Sequence, residues 1–223
     1  MVSQTDPSTR PRVPLSRGRV LRAALDLADV AGIESLTMRN LGQKLGVEAM
    51  SLYNHVASKD DILDGIVDLV FGEIALPPDR AGWKVAARQR AISAREALLR
   101  HPWATSLMHS RANPGPASLR HHDSVLGTLR NSGFTVVMAA HAISVIDGYV
   151  YGFALQQANM PLHTPEQVAE VGEHMLQQMA SAYPYLAEIM TEHAMRPGYN
   201  YSDEFEFGLD LVLDGVERLR GAV

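Results

Sequence analysis

The stretch Thr37–Lys59, TMRNLGQKLGVEAMSLYNHVASK, decides how the rest of the chain is read. Met38, Leu41 and Leu45 fall at i, i+3 and i+7, on one face of a helix. Thr37 supplies an N-cap hydroxyl, and Gly46 a residue for which left-handed backbone costs least. Only Gly46-Val47-Glu48 separates this helix from the next, the spacing of a helix-turn-helix. At about 100° per residue, the second helix gathers Ala49, Leu52 and Val56 on its packing side. Met50, Ser51 and Asn54 project the other way, flanked by Tyr53 and His55. So short a helix must dock by its apolar face. The outward face then carries a thioether, a hydroxyl, an amide, a phenol and an imidazole. That chemistry suits base edges and phosphates in a major groove. The two-helix pattern alone suits a surface helix of an ordinary bundle equally well.

The wider pattern separates these readings. Leu36-Thr37-Met38-Arg39, Leu41, Gly46-Val47, Leu52-Tyr53-Asn54-His55-Val56 and Ser58-Lys59-Asp60 together closely resemble the N-terminal domain of the tetracycline-repressor (TetR) family, with flanks from Arg19 to Leu63. The resemblance implies a dimeric, ligand-responsive transcriptional regulator whose turn and second helix read DNA, with the following lysine on phosphate. Carried over by position, it nominates Thr37, Arg39, Ala49, Met50, Ser51, Tyr53, Asn54, His55 and Lys59 as the DNA-binding set. Ala49 and Met50 are apolar, which fits contact with thymine methyl groups.

At 223 residues the chain is long enough for a small DNA-binding head and one larger helical body. It has no cysteine, hence no disulfide framework and no thiolate metal site or nucleophile. Residues 1–15 contain no continuous apolar core, so a secretory signal is not expected. The oily stretch Val136–Ile146, interrupted by His141, falls short of the ~18 apolar residues of a membrane span. A soluble, cytoplasmic protein is expected. The net charge of −5 divides unevenly: residues 1–60 hold eight Lys/Arg against six acids, or +2, leaving −7 for the remainder. Positive charge gathered at one end is what phosphate contact needs, and an acidic body helps to orient it.

Residues 1–15, with Pro7, Pro11 and Pro14, read as a disordered basic arm whose Arg10 and Arg12 either reach a minor groove or form an untethered tail. Ser16 opens a first helix with the stripe Val20, Ala24, Leu27, Ala28 and Ala31, closed by Gly32, which offers Arg17 or its backbone N–H groups to a phosphate. The helix-turn-helix domain spans 16–76. Its last element is a linker helix, 58–76, capped by Ser58 with Asp61 as the capping-box acid. Pro77-Pro78-Asp79 marks the boundary of a ligand-binding and dimerisation domain, 77–223. There helices are expected over Trp83–His101, Trp103–His109, Ala117–Asn131, Phe134–Asn159, Glu166–Met179, Pro184–Met195 and Ser202–Leu219. No strand pattern of useful length appears, so the fold expected is all-α, with about nine or ten helices. His121-His122-Asp123 is not read as a metal site, because adjacent helical positions point about 100° apart.

One reading helix touches too few bases for specific binding, so two heads on a two-fold palindrome are expected. The small-residue-rich helix 134–159 and the helix 202–219, with its stripe Phe205, Leu209, Val212, Val216 and Leu219, are the candidate homodimer interface. The same stripes suit the body's own core. The segment Gly133–Gln157 also resembles, more loosely, the C-terminal domain of the tetracycline-repressor type. In its tetracycline-binding members the position of His109 ligates magnesium, and a glutamate stands where this chain has Gln156. A neutral amide does not compensate a divalent ion's charge, so no metal and no cofactor are expected. Ser144 falls at another pocket-lining position. Polar and aromatic residues inside otherwise apolar helices complete a candidate set for a mostly apolar small ligand: Trp103, Met108, His109, His141, Ser144, Asp147, Tyr151, Gln156 and Met175, with His174 beside them.

Two other classes of function remain to be weighed. The chain has no HExxH, P-loop, Gly-x-Ser-x-Gly or dinucleotide glycine signature, so an enzyme is not expected. A helical adaptor that binds protein differs from a DNA reader in showing no salt-dependent duplex binding.

Overall fold

The computed structural model describes residues 14–77, 82–108, 110–160, 172, 176 and 181–220. Among these there are nine α-helices and no strand. Residues 1–13 of the expected arm, His109, His174, Met175 and nearly all of the helix expected over Glu166–Met179 lie outside the described residues.

The head is built from α1 (Arg17–Ala31), α2 (Met38–Leu45) and α3 (Ala49–Leu52), packed on α4 (Lys59–Glu73). Side-chain hydroxyls cap three of them. Ser16 Oγ accepts from Arg19 N at 3.4 Å, Thr37 Oγ1 from Asn40 N at 3.1 Å and Ser58 Oγ from Asp61 N at 3.1 Å. Gly46 closes α2 at φ 68°, the left-handed region. Gly42 matters for a different reason: a Cβ there would meet Val47 O at 2.9 Å, so only glycine lets α2 lie this close to the turn. Val20, Ala24, Leu41, Leu52, Val56 and Ile62 close the head's core, each 3 % exposed or less. Burying a Leu or Ile side chain is worth about 1.5–3 kcal/mol, and this holds α3, too short to stand alone. The first stripe is narrower than expected, since Ala31 is exposed and Leu27 only half-buried.

The body contains α5 (Trp83–Arg100), α6 (Pro116–Asn131), α7 (Val136–Ala158), α8 (Pro184–Ile189) and α9 (Tyr201–Leu219). α7 lies between α5 and α9. By length and composition α7 alone among the described helices matches a membrane span, contrary to the shorter apolar run expected; one side of it packs against α5 and α9 and the other is exposed. The linker helix ends at Glu73, earlier than expected. The helix expected over Pro184–Met195 stops at Ile189, and a π-helical turn, Met190–Ala194, follows. The buried stripe of α9 is Phe205, Leu209, Leu213 and Val216; Val212 is half-buried at the edge of the core, and Leu219, 55 % exposed, leaves it. Their side of the helix faces outward.

Candidate functional site

The reading helix is one α-turn followed by a tighter coil. Tyr53 N bonds Met50 O at 3.3 Å, Asn54 N bonds Ser51 O at 3.3 Å and His55 N bonds Leu52 O at 2.9 Å. These i to i+3 bonds end the element sooner than a regular helix through Val56 would. Leu52 and Val56 pack inward, Ala49 is half-buried, and Met50 (76 % exposed), Tyr53 and Asn54 stand outside. The half-buried Ser51 is partly committed, its hydroxyl donating to Glu48 O at 2.6 Å, and Thr37 Oγ1 is used by its cap. His55 is half-buried at the edge of this surface. Arg39 and Lys59 are exposed, and neither forms an ion pair among the described residues. Lys59 begins α4, beside the coil. Most of the sequence-nominated DNA set is thus exposed, from the start of α2 through α3 and its coil to the start of α4.

Arg17 is different. Its guanidinium grips Asp61 through two 2.7 Å bonds, so it is paired rather than offered to a phosphate. That bond holds the Asp61 carboxyl below its usual range. Asp61 Oδ2 also accepts from Ala57 N at 2.8 Å, one residue before the Ser58 cap, which shifts the capping box by a position.

The body holds α4 along its length. Arg111 Nε reaches Asp64 at 2.5 Å and its Nη2 reaches Asp60 at 3.0 Å. Asp68 accepts from Ser118 N at 2.8 Å, and Phe71 stacks against His121 and His122 with ring centres 5.5 and 5.3 Å away. At the far end, Glu73 accepts from Arg100 at 2.7 Å and lies 3.2 Å from His101 Nε2. α1 joins the same contact: Asp29 Oδ1 accepts from Trp103 Nε1 at 2.7 Å and faces His101 Nδ1 at the same distance. A movement of α5 or α6 therefore reaches the head through bonded and packed groups.

Inside the body, a cavity of about 10 Å³ lies between α5, α6 and α7, walled by Trp83, Ala86, Arg90, Val125, Leu129 and Ile146. Arg90 (3 % exposed) donates to Asp147 Oδ1 at 2.7 Å, while its Nε has no partner. His121, 2 % exposed, also lacks a partner at Nδ1. Burial first, then the neighbouring Arg90 and His122, push the His121 ring down to about 4. Burial and the Asp147 charge raise the Tyr151 phenol well above its ordinary range.

The seven described residues of the nine nominated for ligand binding do not converge on one cavity. Asp147 and Tyr151 lie beside Arg90. Trp103 and Met108 are buried near the joint with the head, where the Trp103 N–H is used by Asp29. His141, Ser144 and Gln156 are exposed on α7; the Gln156 amide oxygen accepts from Tyr201 OH at 3.1 Å, so no carboxylate stands there for a divalent ion. His109 and Met175 lie outside the described residues. Sequence reasoning missed Arg90, His121 and Trp83. One signal was available: Arg90 sits between Ala86 and Ala94 on the buried stripe of α5, where an arginine needs a reason.

On the outer side, α7 and α9 form an open groove of about 490 Å³ floored by Met138, Ala142, Val145, Leu211, Val212 and Val216. Val145, Leu211 and Leu219 are each more than half exposed. His141 lines the same groove.

Comparison with known proteins places these features. The domain described as "Bacterial regulatory proteins, tetR family" matches residues 20–66, and "Tetracyclin repressor-like, C-terminal domain" matches residues 76–220. An HTH-type transcriptional repressor, DrrR1, from Streptomyces coeruleorubidus is 34 % identical over 96 % of this chain and 81 % of its own. The class C tetracycline repressor of Escherichia coli is 29 % identical over 92 % of each chain. Among solved structures, Streptomyces coelicolor ActR in complex with actinorhodin superimposes with a TM-score of 0.77 at 25 % identity, covering 93 % of this chain and 98 % of that one.

Proposed function

Because the chain belongs to the TetR family of bacterial regulatory proteins, a ligand-responsive DNA-binding transcriptional regulator and not an enzyme, we propose that it acts as a homodimeric repressor released from a palindromic operator by a small, mostly apolar effector. The observation that carries the reading is the outward edge of the head, where Met50, Tyr53, Asn54, Arg39 and Lys59 are exposed together while Leu52 and Val56 anchor the coil. Asn54, Ser51 and Tyr53 are assigned to base edges, Ala49 and Met50 to thymine methyls, and Lys59, Arg39, Thr37 and His55 to the phosphate backbone. A second copy of the chain is assigned to the α7–α9 groove, whose exposed leucines and valines make an isologous four-helix contact. The cytoplasm, where the DNA is, is the assigned compartment.

Release follows from a two-state body. A ligand that enters between α5, α6 and α7 favours an opened arrangement, and α4, held by Arg111, Ser118, His121 and His101, moves with it. The two reading coils then lose the spacing of about 34–36 Å that successive major grooves demand. Ligand and operator weaken each other by the same factor. Selection of bound sites from a random duplex pool at low salt is expected to yield a palindrome, with sedimentation giving a dimer at micromolar concentration. Failure to enrich any palindrome, or a clean monomer, overturns the reading.

A further inference from the structure

The cavity between α5, α6 and α7 has almost no free volume, and of the two buried polar side chains with an unpartnered atom Arg90 lines it, while His121 lies one helical turn before the lining residue Val125. Nε of Arg90 and Nδ1 of His121 are both unpartnered, in side chains 3 % and 2 % exposed. A buried donor or acceptor left without a partner is destabilising. Space of about 10 Å³ holds a single water and no more. The walls supplied by Trp83, Val125, Leu129 and Ile146 are apolar.

The charges settle what kind of molecule fits. The one cation at the wall, Arg90, is already neutralised by Asp147 at 2.7 Å. His121 sits one helical turn before Val125 on the buried side of α6 and is uncharged at neutral pH. The polar end of the cavity is therefore neutral overall. An ionised carboxylate entering it either remains unpaired in an apolar enclosure or takes Arg90 from Asp147 and strands that carboxylate, and both outcomes are costly. A neutral hydroxyl has neither problem. Its oxygen accepts from Arg90 Nε–H, and its proton suits an imidazole nitrogen. His121 also packs on Phe71 of α4 with ring centres 5.5 Å apart, so the group beside the ligand touches the helix that carries Lys59.

We infer that Arg90, Asp147 and His121 form the recognition end of the effector site, selective for an uncharged apolar ring compound bearing a hydroxyl and against its carboxylate counterpart. This deepens, and rests on, the proposed ligand-released repressor. The ligand enters by parting α5, α6 and α7, since the cavity as it stands does not hold a ring, and His121 passes that movement to Phe71.

The test uses three probes sharing one ring system: naphthalene, 1-naphthol and 1-naphthoate. Binding to the full chain is measured by titration calorimetry at pH 7.5, where the naphthoate is ionised. The expected order is naphthol tightest, with naphthalene and naphthoate each at least tenfold weaker. In the charge-neutral double variant Arg90→Met/Asp147→Leu the advantage of naphthol over naphthalene falls below threefold. In His121→Phe, which keeps a ring on Phe71, it is reduced severalfold. Naphthoate binding as tightly as naphthol, a preference that survives the double variant, or no binding by any of the three at millimolar concentration overturns the inference. Operator binding by the same preparations without probe is scored separately: its loss counts against the regulator reading, its retention leaves a failed probe series as a failure of the pocket assignment alone.

Discussion

Tyr53 and Asn54 in the head stand in solvent, whereas Arg90 and Asp147 in the body lie buried 2.7 Å apart. Both regions gather polar side chains, the head's turned away from its apolar stripe and the body's set within one. They differ in what water can do for them. Around the reading coil, water satisfies Tyr53 and Asn54 until a duplex replaces it, so each of the two is separately replaceable. Inside the body the Arg90–Asp147 pair is shut away from bulk solvent, and each partner depends on the other. Substitutions should therefore act on binding in the head and on folding in the body.

The sharpest way to break that contrast is to remove one partner of the buried pair. Asp147→Ala leaves a guanidinium uncompensated among Trp83, Ala86 and Ile146 and is expected to cost about 3–5 kcal/mol. Replacing both partners, as Arg90→Met/Asp147→Leu, should return stability to near that of the unaltered chain, because apolar groups of similar size need no partner. Urea unfolding of the three proteins decides. A single variant as stable as the parent would mean that water reaches the pair, and the contrast would be lost.

His121 gives the next largest effect, and it depends on pH. Its folded value, about 4, lies below the ordinary 6.5 because of burial and the nearby Arg90 and His122. Well above pH 6.5 the ring is neutral in both states and contributes no pH dependence. As pH falls from 6.5 toward 4 the unfolded chain binds a proton that the folded chain refuses, so stability drops, in total by on the order of 3 kcal/mol. His121→Phe should flatten that part of the profile. Urea midpoints for both proteins at pH 7.5, 6.0 and 5.0 check it; parallel curves would show that His121 is not the group responsible.

The same contrast explains what the sequence revealed. The head was legible because its signals are local. Thr37 and Ser58 announce caps, Gly46 a left-handed stop, and Leu41, Leu52 and Val56 a periodic face, all inside one short stretch. The all-α class followed equally from periodicity. The buried cluster was legible only in part: Asp147 was nominated as a polar residue inside an apolar helix, whereas its partner Arg90 comes from another helix with no fixed sequence interval to it, and only packing pairs the two. The nominated His141 and Ser144 failed to join them for a related reason: an apolar helix with two packing sides does not declare in its sequence which side faces its own core and which faces outward. Arg17 misled in the opposite way, since a cation at the start of α1 looks free until Asp61 is seen beside it.

Within the head, the separateness of the reading groups can be sharpened. Asn54→Ala should lose about 1–3 kcal/mol of discrimination at one base pair of the selected operator and little on random duplex. Lys59→Ala should weaken both alike and lower the slope of log affinity against log salt by about one. Fluorescence-anisotropy titrations at several salt concentrations separate these outcomes. Equal effects of the two substitutions on both duplexes would remove Asn54 from the reading face.

The smallest effect belongs to Thr37, where the two kinds of region meet. Its Oγ1 accepts from Asn40 N at 3.1 Å, so the hydroxyl works within the fold even though the residue is exposed and nominated for DNA. Accepting that bond leaves the hydroxyl proton free to donate to a phosphate oxygen. Thr37→Ala should therefore cost about 1 kcal/mol of stability through loss of the cap, together with a loss of DNA affinity that is the same for operator and random sequence. Thr37→Ser keeps cap and donor and should restore both. If Thr37→Ala leaves the unfolding midpoint unchanged and still alters base preference, Thr37 is a reader whose cap is incidental. The line between self-satisfied and DNA-awaiting groups would then pass on the other side of it.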